Sequence, residues 1–162
     1  MQIRPTADKV KEALFNIIQA IVADATVLDL YAGTGALGIE ALSRGAQKAI
    51  FIDSFRDAIS VIETNVKNFE LTKNAKIYNA TALEAIKRFG REGVKFDIIF
   101  LDPPYEAYDK NVLKEIEVNA ILSDKGIVVL EHDAEVEVDE TIDNLKRFYF
   151  KKYGRNALSF YR

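Results

Sequence analysis

Five short apolar runs, separated by stretches with helical periodicity, constrain this chain more than any other feature. The runs are Thr26–Leu30, Lys48–Ile52, Lys76–Tyr78, Phe96–Leu101 and Ile127–Glu131. Gly33, Asp53 and Pro103 stop three of them, because glycine turns the backbone sharply and proline cannot continue a ladder. Between the runs, Ala36–Arg44, Phe55–Asn68, Leu83–Phe89 and Val112–Ile121 read as helices, the first stopped by Gly45. In the second of these, Ile59, Ile62, Val66 and Phe69 fall on one side. Ahead of them, Val10, Leu14, Ile17, Ile18 and Ile21 share one helical face after Arg4-Pro5-Thr6. The tail differs: Arg147–Tyr153 and Ala157–Tyr161 predict two strands joined at Gly154-Arg155, a hairpin. Strands alternating with helices give an α/β fold, a doubly wound, Rossmann-like and mostly parallel seven-stranded sheet with a C-terminal antiparallel hairpin. The 162 residues suit a single domain, 1–162.

Composition narrows the chemistry. With no cysteine, disulfides, zinc ribbons and thiol nucleophiles are excluded together, and a lone histidine, His132, argues against a histidine-based metal site. His132 reads as a polar residue at a strand end rather than a catalytic base. No apolar run reaches the ~20 residues of a membrane-spanning helix, and no secretory signal opens the chain. A cytoplasmic protein without membrane or metal partners is therefore expected. The net charge of −3 argues against a surface coated for nonspecific nucleic-acid binding. The charges are nonetheless segregated. Glu131, Asp133, Glu135, Glu137, Asp139, Glu140 and Asp143 lie in a stretch without Lys or Arg. Lys146, Arg147, Lys151, Lys152, Arg155 and Arg162 lie in one without an acid. These are either two solvated faces or an edge that contacts phosphate.

In doubly wound sheets ligands bind at the carboxyl ends of the strands. Two motifs fall there. The first runs Val27-Leu28-Asp29-Leu30-Tyr31-Ala32-Gly33-Thr34-Gly35-Ala36-Leu37-Gly38, a strand, a glycine-rich turn and a helix start. Its glycines let the backbone approach a ligand, and Asp53, at the end of the second strand, can accept hydrogen bonds from ribose hydroxyls. Both features also fit a dinucleotide. Asp29 separates the two: a carboxylate beside the loop would repel a pyrophosphate but favours the sulfonium and ammonium groups of S-adenosylmethionine. The structural alternative is that Asp29 caps the amides of the turn.

The second motif is Ile98-Ile99-Phe100-Leu101-Asp102-Pro103-Pro104-Tyr105. An exocyclic base amine is a poor nucleophile because its lone pair is delocalised into the ring. Two acceptors on its two N–H bonds favour a pyramidal nitrogen. Asp102 supplies one, and the carbonyl of Pro103, on a backbone stiffened by two prolines, supplies the other. Tyr105 offers a face on which a splayed-out base can stack. Asp102 would also stabilise the positive charge that develops on nitrogen. Alone, the motif is also a strand-ending turn.

Together with the Arg4-Pro5-Thr6-Ala7-Asp8-Lys9-Val10-Lys11-Glu12-Ala13-Leu14-Phe15-Asn16 opening and the loop through Arg44-Gly45-Ala46, these stretches resemble the small-subunit ribosomal RNA guanine-N2 methyltransferases of the RsmD type, within the class I fold. The resemblance runs essentially end to end. It implies S-adenosylmethionine as cofactor and guanine N2 in ribosomal RNA, within a small-subunit particle, as acceptor. It places Asp29, Gly33 and Gly35 at the cofactor's amino-acid end, Asp53 at its ribose, and Asp102 and Tyr105 at the base. Arg4 and Thr6, with the helix of residues 1–22, would close over the cofactor. Where the family commonly has Asp or Asn after the third strand, this chain has Thr81, whose hydroxyl can accept from the adenine amine. The family's basic segment ahead of Arg-Pro-Thr is missing, so the chain is expected to be truncated or to grip RNA through its basic tail. Alternatives are adenine N6 in DNA or RNA, a protein glutamine, a nicotinamide-dependent oxidoreductase, or a non-catalytic cofactor-binding module.

Overall fold

A computed structural model of the chain describes residues 5–104 and 110–162, the first three of these as backbone only. The elements run α1 (Pro5–Val22), β1 (Thr26–Leu30), α2 (Ala36–Ser43), β2 (Lys48–Asp53), α3 (Arg56–Asn68), β3 (Ala75–Asn79), α4 (Ala82–Glu92), β4 (Phe96–Leu101), α5 (Lys110–Val118), β5 (Leu122–Asp133), β6 (Thr141–Ile142), β7 (Leu145–Tyr153) and β8 (Asn156–Tyr161). A single turn of 3-10 helix, Thr72–Asn74, precedes β3. The sheet order is β3-β2-β1-β4-β5-β8-β7-β6. The first five strands are parallel, and β8, β7 and β6 are antiparallel to their neighbours.

The central strands read as unbroken apolar runs because helices cover both faces of the sheet. Side chains alternate between the faces along each strand. Val27, Phe51, Ile98 and Phe100 face α1, α2 and α3. Leu28, Leu30, Ile52, Ile99 and Leu101 face α4 and α5. Phe15 of α1 meets Phe100 with ring centroids 5.6 Å apart, so α1 is built into the first of these two cores.

Four expectations are corrected. The sheet has eight strands rather than seven, because the two-residue β6 pairs Ile142 with Leu145 and Thr141 with Lys146. The buried row of α1 is Val10, Leu14, Ile18 and Val22 with Phe15, whereas Ile17 and Ile21 are 37% and 39% exposed. The helix packs along its i, i+4 row, and Ile17 and Ile21 lie on the trailing side of the apolar arc. Phe69 is exposed because it caps α3 instead of lying within it. Helix α5 stops at Val118, and Ala120 takes a left-handed backbone, φ 52°. The C-terminal hairpin is as expected: Tyr153 pairs with Asn156, and Gly154 alone carries the positive φ, 62°, as a type II′ turn requires.

The strand order reverses direction between β1 and β4. The crevice at their carboxyl ends is where a doubly wound sheet receives a ligand. Leu30 pairs with Leu101, so Tyr31 and Asp102 are the next residues on two adjacent strands.

Candidate active site

The loop after β1 is assembled from backbone conformations that few side chains tolerate. Tyr31, Gly33 and Gly35 all have positive φ, at 57°, 61° and 81°. The two glycines adopt these values without penalty. Tyr31 does not, and such a residue stores on the order of 1 kcal/mol or more. The surroundings hold the strain in place. The amide of Ala32 donates to the carbonyl of Ile52 at 2.9 Å, and that of Gly35 to the carbonyl of Ala32 at 2.8 Å. Asn65 Nδ2, from α3, donates to the Thr34 carbonyl at 2.9 Å. Gly38 has a different reason to be glycine. A Cβ there would lie 2.3 Å from Cε1 of Phe51, so its absence lets α2 lie directly against β2.

Both loop acids are engaged. Asp53 Oδ2 accepts the Gly33 amide at 2.9 Å, and its Oδ1 accepts the Phe55 amide at 3.0 Å. Its carbonyl accepts from the Ala80 amide and from Asn79 Nδ2, both at 3.0 Å, tying the ends of β2 and β3 together. An ionised carboxylate has about four acceptor positions, so two remain for hydroxyls. Asp29 is 1% exposed and accepts the Gly38 amide on Oδ2 at 3.0 Å. Burial pushes its carboxyl up to about 8, the Gly38 hydrogen bond opposes this, and the charge of Asp53 adds to it. Asp29 thus does cap the turn that opens α2, while Oδ1 has no hydrogen bond among the described residues. The two acids repel one another, and that is the electrostatics of a pocket for a cationic ligand.

Thr81 stands at the start of α4, where its hydroxyl accepts the Glu84 amide at 3.2 Å. Glu84 Oε1 in turn accepts the Thr81 amide at 3.2 Å, completing a capping box. The Thr81-x-x-Glu84 spacing is legible in sequence, and motif reading passed it over. Asn65 was missed as well, since it acts across 31 residues of chain; Gly38 closes the glycine motif, but its packing reason depends on where Phe51 sits. A hollow of about 460 Å³ opens nearby, bordered by Ile52, Asn79, Ala80, Glu84 and Arg88.

On the other side of the crevice, Asp102 is exposed, directly after β4, with Pro103 half-buried behind it. Arg4 and Tyr105 lie outside the described residues, and Thr6 is described only as backbone in the first turn of α1. His132, at the end of β5, is buried and withdrawn from the crevice. Its Nδ1 lies 2.8 Å from the Asp133 carbonyl and its Nε2 lies 2.9 Å from Ser159 Oγ. This fixes the neutral tautomer with Nδ1 donating and Nε2 accepting. Burial lowers its pKa further, against the Asp133 hydrogen bond. Among the described residues no three His, Asp or Glu side chains could hold a metal, and no helix is long and apolar enough to cross a membrane.

The residues present suit S-adenosylmethionine: bare glycine backbone, and two acids in place of a phosphate cradle. Strand order, glycine loop and Asp-Pro-Pro edge define a class I methyltransferase, the class that draws its methyl group from S-adenosylmethionine. More narrowly, the chain belongs to the family described as conserved hypothetical protein 95, whose model matches residues 1–162. YlbH of Bacillus subtilis (strain 168), provisionally named an rRNA methyltransferase, is 42% identical over 160 residues, covering 98% of this chain and 87% of that one. Ribosomal RNA small subunit methyltransferase D of Escherichia coli (strain K12) is 36% identical over 139 residues, 82% of this chain. The chain spans 66% of that relative's length. Among solved structures, a conserved hypothetical protein of Streptococcus pyogenes is 31% identical with a TM-score of 0.86, covering 93% of each chain.

Proposed function

We propose that this chain methylates the N2 amine of a guanine in ribosomal RNA, that it acts on a small-subunit particle in the cytoplasm, and that residues 1–162 work as one methyltransferase domain. One observation carries the reading: β1 and β4 are adjacent at the switch point, so the acid-flanked glycine loop and the Asp102-Pro103-Pro104 edge open into one crevice. The names of the Bacillus and Escherichia relatives support ribosomal RNA as the acceptor.

Bound S-adenosylmethionine supplies an electrophilic methyl group on a sulfonium. The chain does the rest. Asp29 and the Gly33 and Gly35 backbone hold the charged amino-acid end, and Asp53 accepts from the ribose hydroxyls. Thr81 meets the adenine amine with the lone pair its capping role leaves free. Arg4 and Thr6, at the start of α1, close over the site. The Asp102 carboxylate and the Pro103 carbonyl each accept one N–H of the guanine amine, localising its lone pair toward the methyl group. Tyr105 stacks on the base, worth roughly 1–3 kcal/mol. As the nitrogen gains the methyl group and the sulfur–methyl bond breaks, leaving a neutral thioether, Asp102 would stabilise the charge on nitrogen and take the proton that nitrogen sheds.

The test is an acceptor competition. The purified chain and labelled S-adenosylmethionine meet small-subunit ribosomal RNA, assembled particles, DNA and a glutamine-containing peptide together, and the products are resolved as nucleosides and amino acids. Label in N2-methylguanosine from RNA is the expected result. Label in N6-methyladenosine, in DNA or in the peptide would assign another acceptor.

A further inference from the structure

Strand β7 breaks the rule that a strand buries one of its faces. After Leu145, which is buried, the aromatic residues Phe148, Tyr149 and Phe150 are 40%, 41% and 38% exposed in succession. Three consecutive aromatics would ordinarily alternate between faces. Here the register shift between Arg147 and Tyr149 turns Phe148 and Tyr149 to the same side, where both rings lie against Phe160, at 6.2 Å and 5.6 Å. Phe150 is on the opposite side, stacked against His132 at 6.1 Å. Exposed aromatics in this number mark a contact surface.

Cations are already placed over these rings. The Arg162 guanidinium lies 4.4 Å from the Phe148 centroid, and that of Arg147 lies 4.7 Å from Phe150. Lys151 Nζ lies 5.6 Å from the Tyr153 ring. With Lys146, Lys152 and Arg155, the hairpin carries six cations and no acid in a chain whose net charge is −3. Glu140 reaches it from outside, at 3.4 Å from Arg147. Aromatic rings and guanidinium planes interleaved with lysines are the means by which proteins hold unstacked bases and their phosphates.

The strand also points the right way. β5 runs toward the catalytic edge, β8 runs back from it, and β7 returns, so Lys151, Lys152 and the Gly154-Arg155 turn stand at the same edge as Asp102. Three strand spacings separate β7 from β4, about 14 Å. A second copy of the chain is the weaker occupant of this edge, because pairing two such strands brings lysines together.

We infer that β7, through its exposed Phe148–Tyr149 face and its lysine-bearing end with the Gly154-Arg155 turn, is a docking surface for single-stranded RNA flanking the target base. This rests on the RNA-methylating function proposed above. The experiment uses the full chain and a labelled single-stranded RNA of roughly 12 nucleotides, with the same sequence as a duplex for comparison. Two variants are measured: Lys151→Gln/Lys152→Gln/Arg155→Gln, and Phe148→Ser/Tyr149→Ser.

The triple variant is expected to bind the single strand at least tenfold more weakly at about 0.1 M salt. Its salt slope should fall by about 2, from three contacts at about 0.7 each. Its KM for RNA should rise with kcat and cofactor affinity unchanged. The aromatic variant should lose roughly tenfold in single-strand binding and change little with the duplex. If it fails to fold, the triple variant decides alone, since its three residues are exposed. If wild type and triple variant bind and methylate RNA equally, the docking surface is overturned while the function stands. If the wild type takes up cofactor but neither binds nor methylates any RNA, the function falls and the docking surface with it. A dimer that the triple substitution strengthens or dissolves, with RNA binding untouched, would make β7 a self-association edge instead.

Discussion

Asn in place of Asp29 keeps the side chain's shape and an oxygen for the Gly38 amide, and removes the carboxyl. In the folded protein that carboxyl titrates at about 8, against an ordinary value of 3.8, chiefly because burial disfavours its charge. Between these two values the folded state holds a proton that the unfolded chain has lost. Stability therefore falls as pH rises from about 4 to about 8. At 1.36 kcal/mol per pH unit, the loss reaches roughly 4 kcal/mol at pH 7 and levels off near 6 kcal/mol above pH 8. Asp29→Asn has no such proton. Its stability relative to wild type should climb by several kcal/mol between pH 4.5 and 8.5, measured by denaturant melts at each pH. Near pH 7 the difference corresponds to very roughly 10 °C in Tm for a domain of this size. The same carboxyl should couple to the cofactor. Because a cationic ligand favours the ionised form, binding near pH 7 should release most of one proton, read from calorimetry in two buffers of different ionisation enthalpy. Affinity should rise toward pH 8 and then level. Parallel stability curves for the two proteins, with no proton released, would refute both the raised pKa and the role of Asp29 at a cationic group.

Four further substitutions separate the parts of the site. Gly38→Ala places a methyl 2.3 Å from Phe51, inside a packed core, and should cost about 1–3 kcal/mol. Thermal unfolding checks this, and Phe51→Leu should restore part of the loss in a double-mutant cycle. Asp53→Ala removes the acceptor for the Gly33 and Phe55 amides and should weaken cofactor binding at least tenfold by calorimetric titration. Thr81→Ala breaks the capping box and should lower stability by about 1 kcal/mol in a denaturant melt. Asp102→Ala should reduce kcat on the order of 10²-fold or more while the cofactor dissociation constant stays within a factor of about two.

The strands of the sheet were legible because burial on both faces leaves an unbroken apolar run between turn residues, and Phe96–Leu101 matches to the residue. The amino-terminal half of β5 was not. Ser123, Asp124 and Lys125 carry no apolar pattern, yet they extend the strand, with Ser123 Oγ donating to Asp97 at 2.8 Å. β6 is too short for any period to register. On α1 the apolar residues fill a broad arc, and which part of it is buried depends on the i, i+4 row that meets the sheet, a tertiary fact. In the site, Asp29, Gly33, Gly35, Asp53 and Asp102 all come to the crevice edge, since motif and strand end coincide there. What could not be read was how the acids are already engaged. Asp53 is bound to two amides, and Asp29 is buried deeply enough to hold its proton.

That engagement makes the two walls of the crevice physically unlike. The cofactor wall is closed upon itself without a ligand: Asp53 holds Gly33, Asn65 holds Thr34, Asp29 holds Gly38, and Tyr31 is kept in a strained backbone between them. Its shape is set by folding, and the unfavourable terms, a left-handed tyrosine and a carboxyl that cannot easily ionise, are already present when ligand arrives. On the function proposed above, a sulfonium or ammonium group would relieve the second of these by stabilising the charge that burial opposes. The acceptor wall is more open to solvent. Asp102 is exposed on a proline-stiffened edge. Substitutions on the first wall should therefore change affinity, stability and their pH dependence together, and those on the second should change turnover alone. A variant of Asp102 that altered the pH dependence of folding, or a variant of Asp29 that altered turnover at saturating cofactor with no change in binding, would contradict this division.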